Sequence, residues 1–192
     1  MSRETRRAFL GRCVALSLAG LLGSARSLPA TPACGDTGAA TPPQTAGPFF
    51  KPSSPRRASL LEPGLAGTRL VVTGRVLWTD CRPVTGALLD FWQADDRGAY
   101  DTRGYRLRGH QFTDEAGGYR LETIVPGLYP GRTRHIHVRA QAPNRPVLTT
   151  QLYFPDEAKN AGDGIFDPAL VVVLADDAGG RVATFDFVLT RA

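Results

Sequence analysis

The segment Pro126-Gly127-Leu128-Tyr129-Pro130-Gly131-Arg132-Thr133-Arg134-His135-Ile136-His137-Val138-Arg139 changes character halfway along. Its first half is punctuated by proline and glycine, which set turn geometry. In its second half the pattern around Val138, from Thr133 to Ala140, suits a β-strand. Two of the chain's three histidines stand there at i and i+2. Side chains two apart on a strand share a face, with Cα atoms roughly 7 Å apart. His135 and His137 are therefore placed to converge on one metal ion. Tyr129 and Arg132 lie just upstream, in a turn able to fold back over the same spot. The pair by itself equally fits a strand with one wet face.

Outward from this stretch, short strands recur. LVVTGRVLW at 70–78, ALLDFWQ at 87–93, YRLETI at 119–124, VLTTQLYF at 147–154, residues 169–174 and VATFDFVL at 182–189 all read as strands. Turn signals such as DDRG at 95–98 and TDEAGG at 113–118 separate them. No repeat, coiled-coil heptad or glycine-rich phosphate loop interrupts the pattern. With 21 glycines and 15 prolines, the chain is predicted to be all-β, an antiparallel β-sandwich of seven or so strands over residues 69–192. Residues 34–68 carry few apolar periods and read as an extended lead-in that docks on the core through Phe49 and Phe50. The polar loop at 156–167 is expected to wander.

The first 33 residues read as a leader. TRRAFL at 5–10 resembles a twin-arginine signature, and the apolar stretch at 13–22 is too short to span a bilayer. GSA at 23–25 and TPA at 31–33 offer cleavage sites. The expectation is recognition by the twin-arginine export machinery and a periplasmic or secreted protein. Such signals carry folded proteins, often with a cofactor already in place. A lipoprotein anchored at Cys34 fits less well, because Thr31 stands where an aliphatic residue is usual. The formal net charge of +5 misleads, since Arg3, Arg6, Arg7, Arg12 and Arg26 against Glu4 place +4 of it in residues 1–30. The remainder gives no electrostatic case for nucleic acid. Cys13 leaves with the leader. Cys34 and Cys81 either form a disulfide tying the mature N-terminus to the first sheet or stay separate thiols.

Several pieces fall in one order: TAGP at 45–48, GRV at 74–76, PVTGA at 83–87, DFWQAD at 90–95, GAY at 98–100, RG at 108–109, TD at 113–114, GYR at 118–120, PGLY at 126–129, Arg132, HIH at 135–137 and TQLYF at 150–154. The ordered set resembles the intradiol ring-cleavage dioxygenases, the family of protocatechuate 3,4-dioxygenase and catechol 1,2-dioxygenase, over nearly all of the mature chain. The resemblance implies one non-haem ferric ion held by Tyr100, Tyr129, His135 and His137. Ferric iron is a hard cation that favours anionic oxygen, and tyrosinate can ligate it. The resemblance further implies a catechol bound as a dianion in place of Tyr129, attack by O₂, and opening of the ring between its hydroxylated carbons to a cis,cis-muconate-type diacid. Arg132 then matches an arginine that stabilises charge developing on the ring. Gln151 matches a glutamine that orients oxygen atoms, and Gly47 and Pro48 line the pocket mouth. Trp92 reads as core. Tyr105, Tyr119, Tyr153 and His110 read as structural, with Tyr105 the substitute for Tyr100 should the alignment slip.

The chain departs from the family pattern in places. Only seven residues separate Tyr100 from Arg108. The helical N-terminal region of the catechol enzymes has no counterpart. Gly131 stands where the protocatechuate branch has a bulky aromatic. These differences imply an open pocket and leave the catechol unspecified. The turn pieces alone also read as a transthyretin-like or carboxypeptidase-regulatory-like module that binds and catalyses nothing. Such a module has no need of Tyr100, Tyr129, His135 and His137 together with Gln151. A third reading, zinc or Fe(II) on the histidines and a carboxylate such as Asp156, lacks the H-x-D/E spacing.

Overall fold

The computed structural model describes residues 39–191. The twin-arginine motif, Cys13 and Cys34 lie outside them. Nine strands run in chain order through the described residues: β1 (Arg69–Trp78), β2 (Leu88–Trp92), β3 (Arg108–Phe112), β4 (Gly118–Ile124), β5 (His135–Gln141), β6 (Leu148–Tyr153), β7 (Val173–Asp177), β8 (Gly180–Thr184) and β9 (Phe187–Leu189). One sheet has the order β4-β1-β8-β7, with β9 also on β1; the other has the order β3-β2-β5-β6. The all-β, two-sheet architecture agrees with the strand pattern of the sequence.

Four details differ from that pattern. Pairing is antiparallel except that β8 and β9 run parallel to β1. The single strand expected at 182–189 is split, with β8 on the first half of β1 and β9 on the second. At the split the Phe185 carbonyl crosses so near Gly74 that a Cβ there would lie 1.8 Å from it. The Asp186 carboxylate accepts the Arg75 amide at 2.7 Å. The strand expected at 169–174 starts later, because Pro168–Leu170 close a 3₁₀ turn capped by Asp167. β3 had no clear sequence signal. Arg108, Gly109, His110 and Gln111 include none of the β-branched or aromatic residues enriched in strands, and the pairing with β2 makes the strand regardless.

The core lies between the sheets. Leu70, Val72 and Val76 of β1 and Leu121 of β4 belong to one buried cluster with Leu89 and Phe91 of β2, Ile136, Val138 and Ala140 of β5, and Leu152 of β6. Strand alternation then puts His135 and His137 on the opposite face of β5. That face is not wet: His135 is 4% and His137 2% exposed. The segment before β1 covers it. Its backbone bonds include Thr41 N to Val188 O, Gln44 N to Thr149 O, and Arg57 N to His110 O, at 2.7–2.9 Å.

Candidate active site

Strand register assembles the first part of the site. Across β3-β2-β5-β6, Arg108 stands opposite Trp92, Trp92 opposite His137, and His137 opposite Gln151. His135 stands opposite Tyr153. Directly opposed residues share a face, so these side chains emerge together. The Trp92 indole stacks on the His137 imidazole, with centroids 4.9 Å apart and planes 3° apart. Trp92, which the sequence assigned to the core, thus also fixes the plane of a candidate ligand. Gly47 presses on the same ring; a Cβ there would lie 3.4 Å from His137 Cε1. Pro48 beside it is exposed.

Both imidazoles are held neutral. Burial lowers His135 to about 4, with the Arg132 charge adding to the effect and the Thr133 carbonyl opposing it. Burial, then the charges of His135, Arg132 and Arg108, holds His137 well below the usual range. His135 Nδ1 lies 2.6 Å from the Thr133 carbonyl. That contact places the ring proton on Nδ1 and leaves the Nε2 lone pair as an acceptor, facing the Tyr100 hydroxyl. His137 Nδ1 is buried without a hydrogen-bond partner.

Two loops bring in the tyrosines. The Gly98 and Gly127 turns dock on each other, with Gly127 N donating to Asp95 O at 2.7 Å. A Cβ on Gly98 would sit 2.1 Å from the Leu128 carbonyl, so no larger residue fits this approach. Tyr100 and Tyr129 consequently meet edge to face, with centroids 5.7 Å apart. Phe49 of the lead-in stacks on Tyr100 at 4.4 Å and meets the edge of Tyr129 at 5.4 Å. Tyr100 Oη lies 3.0 Å from His135 Nε2. Burial raises the Tyr100 phenol above its ordinary value, against the pull of Arg132 and then Arg108. A phenol so placed ionises only against a strong local cation.

All four ligands expected from the resemblance are therefore gathered at one place. Adjacent ligands around a first-row metal, at bond lengths of roughly 2.0–2.2 Å, are about 3 Å apart. The separation of Tyr100 Oη and His135 Nε2 has that value. Two neutral imidazoles with two phenols make a donor set suited to a hard trivalent ion. By contrast, no group of three His, Cys, Asp or Glu gathers among the described residues, so Asp156 does not complete a triad with the histidines. Tyr105 does not replace Tyr100; its hydroxyl donates to Pro52 O at 2.9 Å and its ring is 37% exposed.

Arg132 and Gln151 are joined. Arg132 Nη2 donates to Gln151 Oε1 at 2.8 Å, and Gln151 Nε2 donates to Thr45 O at 2.9 Å. Both ends of the glutamine amide are thus occupied. Tyr153, read from sequence as purely structural, has its hydroxyl in the same network, 3.4 Å from Arg132 Nη2. The loop at 156–167 does not wander. Asp163 binds Arg132 Nε at 2.8 Å and the Thr133 amide at 2.9 Å. The sequence did not signal that either residue contacts Arg132, because Arg132 lies 21 positions from Tyr153 and 31 from Asp163. Cys81 is disulfide-bonded.

Comparison with known proteins shows which family the chain resembles. A family model described as Dioxygenase matches residues 46–190. The chain is 32% identical over 147 residues to the hydroxyquinol 1,2-dioxygenase of Rhizobium sp. (strain MTP-10005), covering 62% of this chain and 50% of that protein. It thus spans about half the length of the curated relatives it matches. The dioxygenase domain of a dioxygenase carbohydrate-binding protein fusion from Streptomyces sp. SirexAA-E superposes with TM-score 0.78 at 59% identity, covering 80% of this chain and 100% of that one. Hydroxyquinol 1,2-dioxygenase from Pseudomonas putida DLL-E4 superposes with TM-score 0.71 at 30% identity, covering 81% of this chain and 68% of that one. With a family match over most of its length, two sheets of the same architecture and a tyrosine–histidine cluster on one of them, the chain belongs to the intradiol dioxygenase family.

Proposed function

We propose that the protein is an exported, non-haem ferric dioxygenase that opens a catechol-type ring between its two hydroxylated carbons. Both atoms of O₂ enter the product, a cis,cis-muconate-type diacid. The observation that carries this reading is the 3.0 Å approach of Tyr100 Oη to His135 Nε2, on a buried face shared with His137 and bordered by Tyr129. When bound, ferric iron would supply the charge that ionises the phenols and holds the two catechol oxygens, activating the ring for attack by O₂.

The remaining work belongs to the chain. His135 and His137 are held neutral and ready to donate, with the Trp92 ring and the Thr133 carbonyl setting their planes. Tyr100 and Tyr129 are both half-buried on loops, and the family resemblance makes Tyr129 the one that would give way to substrate. Tyr129 Oη would then be the group that takes one proton from a catechol hydroxyl. Arg132 presents a fixed positive charge to the electron-rich ring, which favours the transition state over the bound substrate. Phe49 walls the tyrosine side and keeps water from it.

The test is oxygen uptake by iron-reconstituted mature protein with catechol, protocatechuate, hydroxyquinol and substituted catechols. The expected product carries two labelled oxygens from ¹⁸O₂. Ferric-loaded protein that cleaves none of the panel overturns the reaction. Protein that stays colourless and iron-free after reconstitution overturns the metal centre as well, and favours an inert transthyretin-like module.

Export rests on Arg6-Arg7 ahead of a modest apolar stretch. A periplasmic location also accords with the bonded state of Cys81, for which Cys34 is the partner we assign.

A further inference from the structure

The loop between β6 and β7 is polar along most of its length, yet the Asp163 side chain is only 3% exposed. A buried carboxylate on a loop is uncommon unless something holds it. Asp163 Oδ2 accepts from Arg132 Nε at 2.8 Å and from the Thr133 amide at 2.9 Å, while Oδ1 accepts from the Ile165 amide at 3.2 Å. Asn160 adds a second tie, accepting from Thr133 Oγ1 at 2.6 Å and donating to Phe154 O at 3.0 Å. Burial by itself would raise the Asp163 carboxyl, but the Thr133 amide and the Arg132 guanidinium outweigh it and the net shift is downward. The group is therefore ionised at neutral pH.

The guanidinium is gripped at a second nitrogen as well. Nη2 donates to Gln151 Oε1, which is itself anchored through Thr45, and lies near Tyr153 Oη. The Tyr153 hydroxyl donates in turn to Ile165 O at 3.0 Å, back in the Asp163 loop. Arginine presents its donors in a rigid planar fork, so fixing Nε and one Nη fixes the whole group. Asp163 holds Nε and Gln151 holds Nη2. Without the carboxylate, a long flexible side chain would hang from Gln151 alone.

We propose that Asp163 is a positioning residue, clamping the Arg132 guanidinium over the histidine face and making the 156–167 loop part of the site. The rate prediction rests on the ring-cleavage reading; the geometric one does not.

Asp163→Asn preserves shape and removes the charge. Iron content and visible absorption should stay at the parent level, while kcat falls about 10- to 100-fold, the range expected when a catalytic group is misplaced by about 1 Å. KM should change less. In an Arg132→Ala background the same substitution should have no further effect on kcat, because Asp163 then has nothing to position. A crystal structure of the Asp163→Asn protein should show the guanidinium displaced from its parent position by about 1 Å, swung about its remaining tie to Gln151 Oε1. Equal losses of kcat in both backgrounds would reduce Asp163 to a loop staple and overturn the proposal. So would a crystal structure in which Arg132 has not moved. If the parent cleaves no catechol, the ring-cleavage reading fails and the crystal structure alone decides the clamp. Should Asp163→Asn not fold, Asp163→Glu, which keeps the charge and shifts it by one methylene, carries the same test.

Discussion

Gly98→Ala probes the joint between the two tyrosine loops. Gly98 has φ +84°, and a Cβ there would lie 2.1 Å from the Leu128 carbonyl oxygen and 2.7 Å from its carbon. Two costs follow. A non-glycine residue in the left-handed region costs roughly 1–2 kcal/mol. The clash adds to this, since the carbonyl must retreat by about 1 Å to reach an ordinary contact, and overpacking of that kind costs typically 1–3 kcal/mol. Gly64→Ala is the control. Gly64 has φ +76° with nothing within 4 Å of its Cβ position, so it bears the backbone cost alone. Gly98→Ala should therefore be destabilised by about 2–5 kcal/mol and Gly64→Ala by about 1–2. For a domain of this size each kcal/mol lowers Tm by roughly 2–4 °C. The two variants should thus separate clearly in thermal and denaturant unfolding. The retreating carbonyl belongs to the residue before Tyr129, so Gly98→Ala should also weaken iron binding and alter any tyrosinate absorption, and Gly64→Ala should do neither. Equal stability losses, with unchanged iron content in both, would refute the reasoning that this contact sets the spacing of Tyr100 and Tyr129.

His135→Ala and His137→Ala should each abolish iron binding, measured by metal analysis after reconstitution, because each removes one of the four donors proposed to hold the metal. Tyr129→Phe should retain part of the iron and lose most turnover in oxygen uptake; near-parental kcat would deny its phenolate a part in taking up the catechol proton. The Asp163 carboxyl is lowered by folding, so its contribution to stability is present above the unfolded carboxylate value and is lost as pH falls through the folded one. Asp163→Asn should accordingly flatten the acid side of the stability–pH profile, read from denaturant unfolding between pH 7 and about pH 2, whereas an unchanged acid limb would mean the carboxylate carries no such linkage. Replacing Arg6 and Arg7 together by lysine should leave precursor in the cytoplasm, and undiminished periplasmic product would refute the twin-arginine assignment.

Local pattern determined a good part of this protein. Alternation along residues 133–140 specified a strand and put both histidines on one face, since side-chain direction on a strand depends only on parity. Turn residues at 95–98, 113–118 and 126–132 marked where strands end, and the order of the motif pieces carried the family. What covers a face is set by distant residues, and there the sequence was silent. His135 and His137 could have faced water; the lead-in and the stacked Trp92 ring bury them. Tyr100 and Tyr129 meet because Gly98 and Gly127 let two loops touch, a contact between segments nearly thirty positions apart. β3 formed against its own propensity through pairing with β2, and β8 and β9 ran parallel to β1, because ladder register is a property of pairs of strands. Asp163 reads as one more acid in a polar loop. Only the folded chain sets its carboxylate on the Arg132 guanidinium, because an ion pair between residues 31 apart exists when the backbone has already closed the distance.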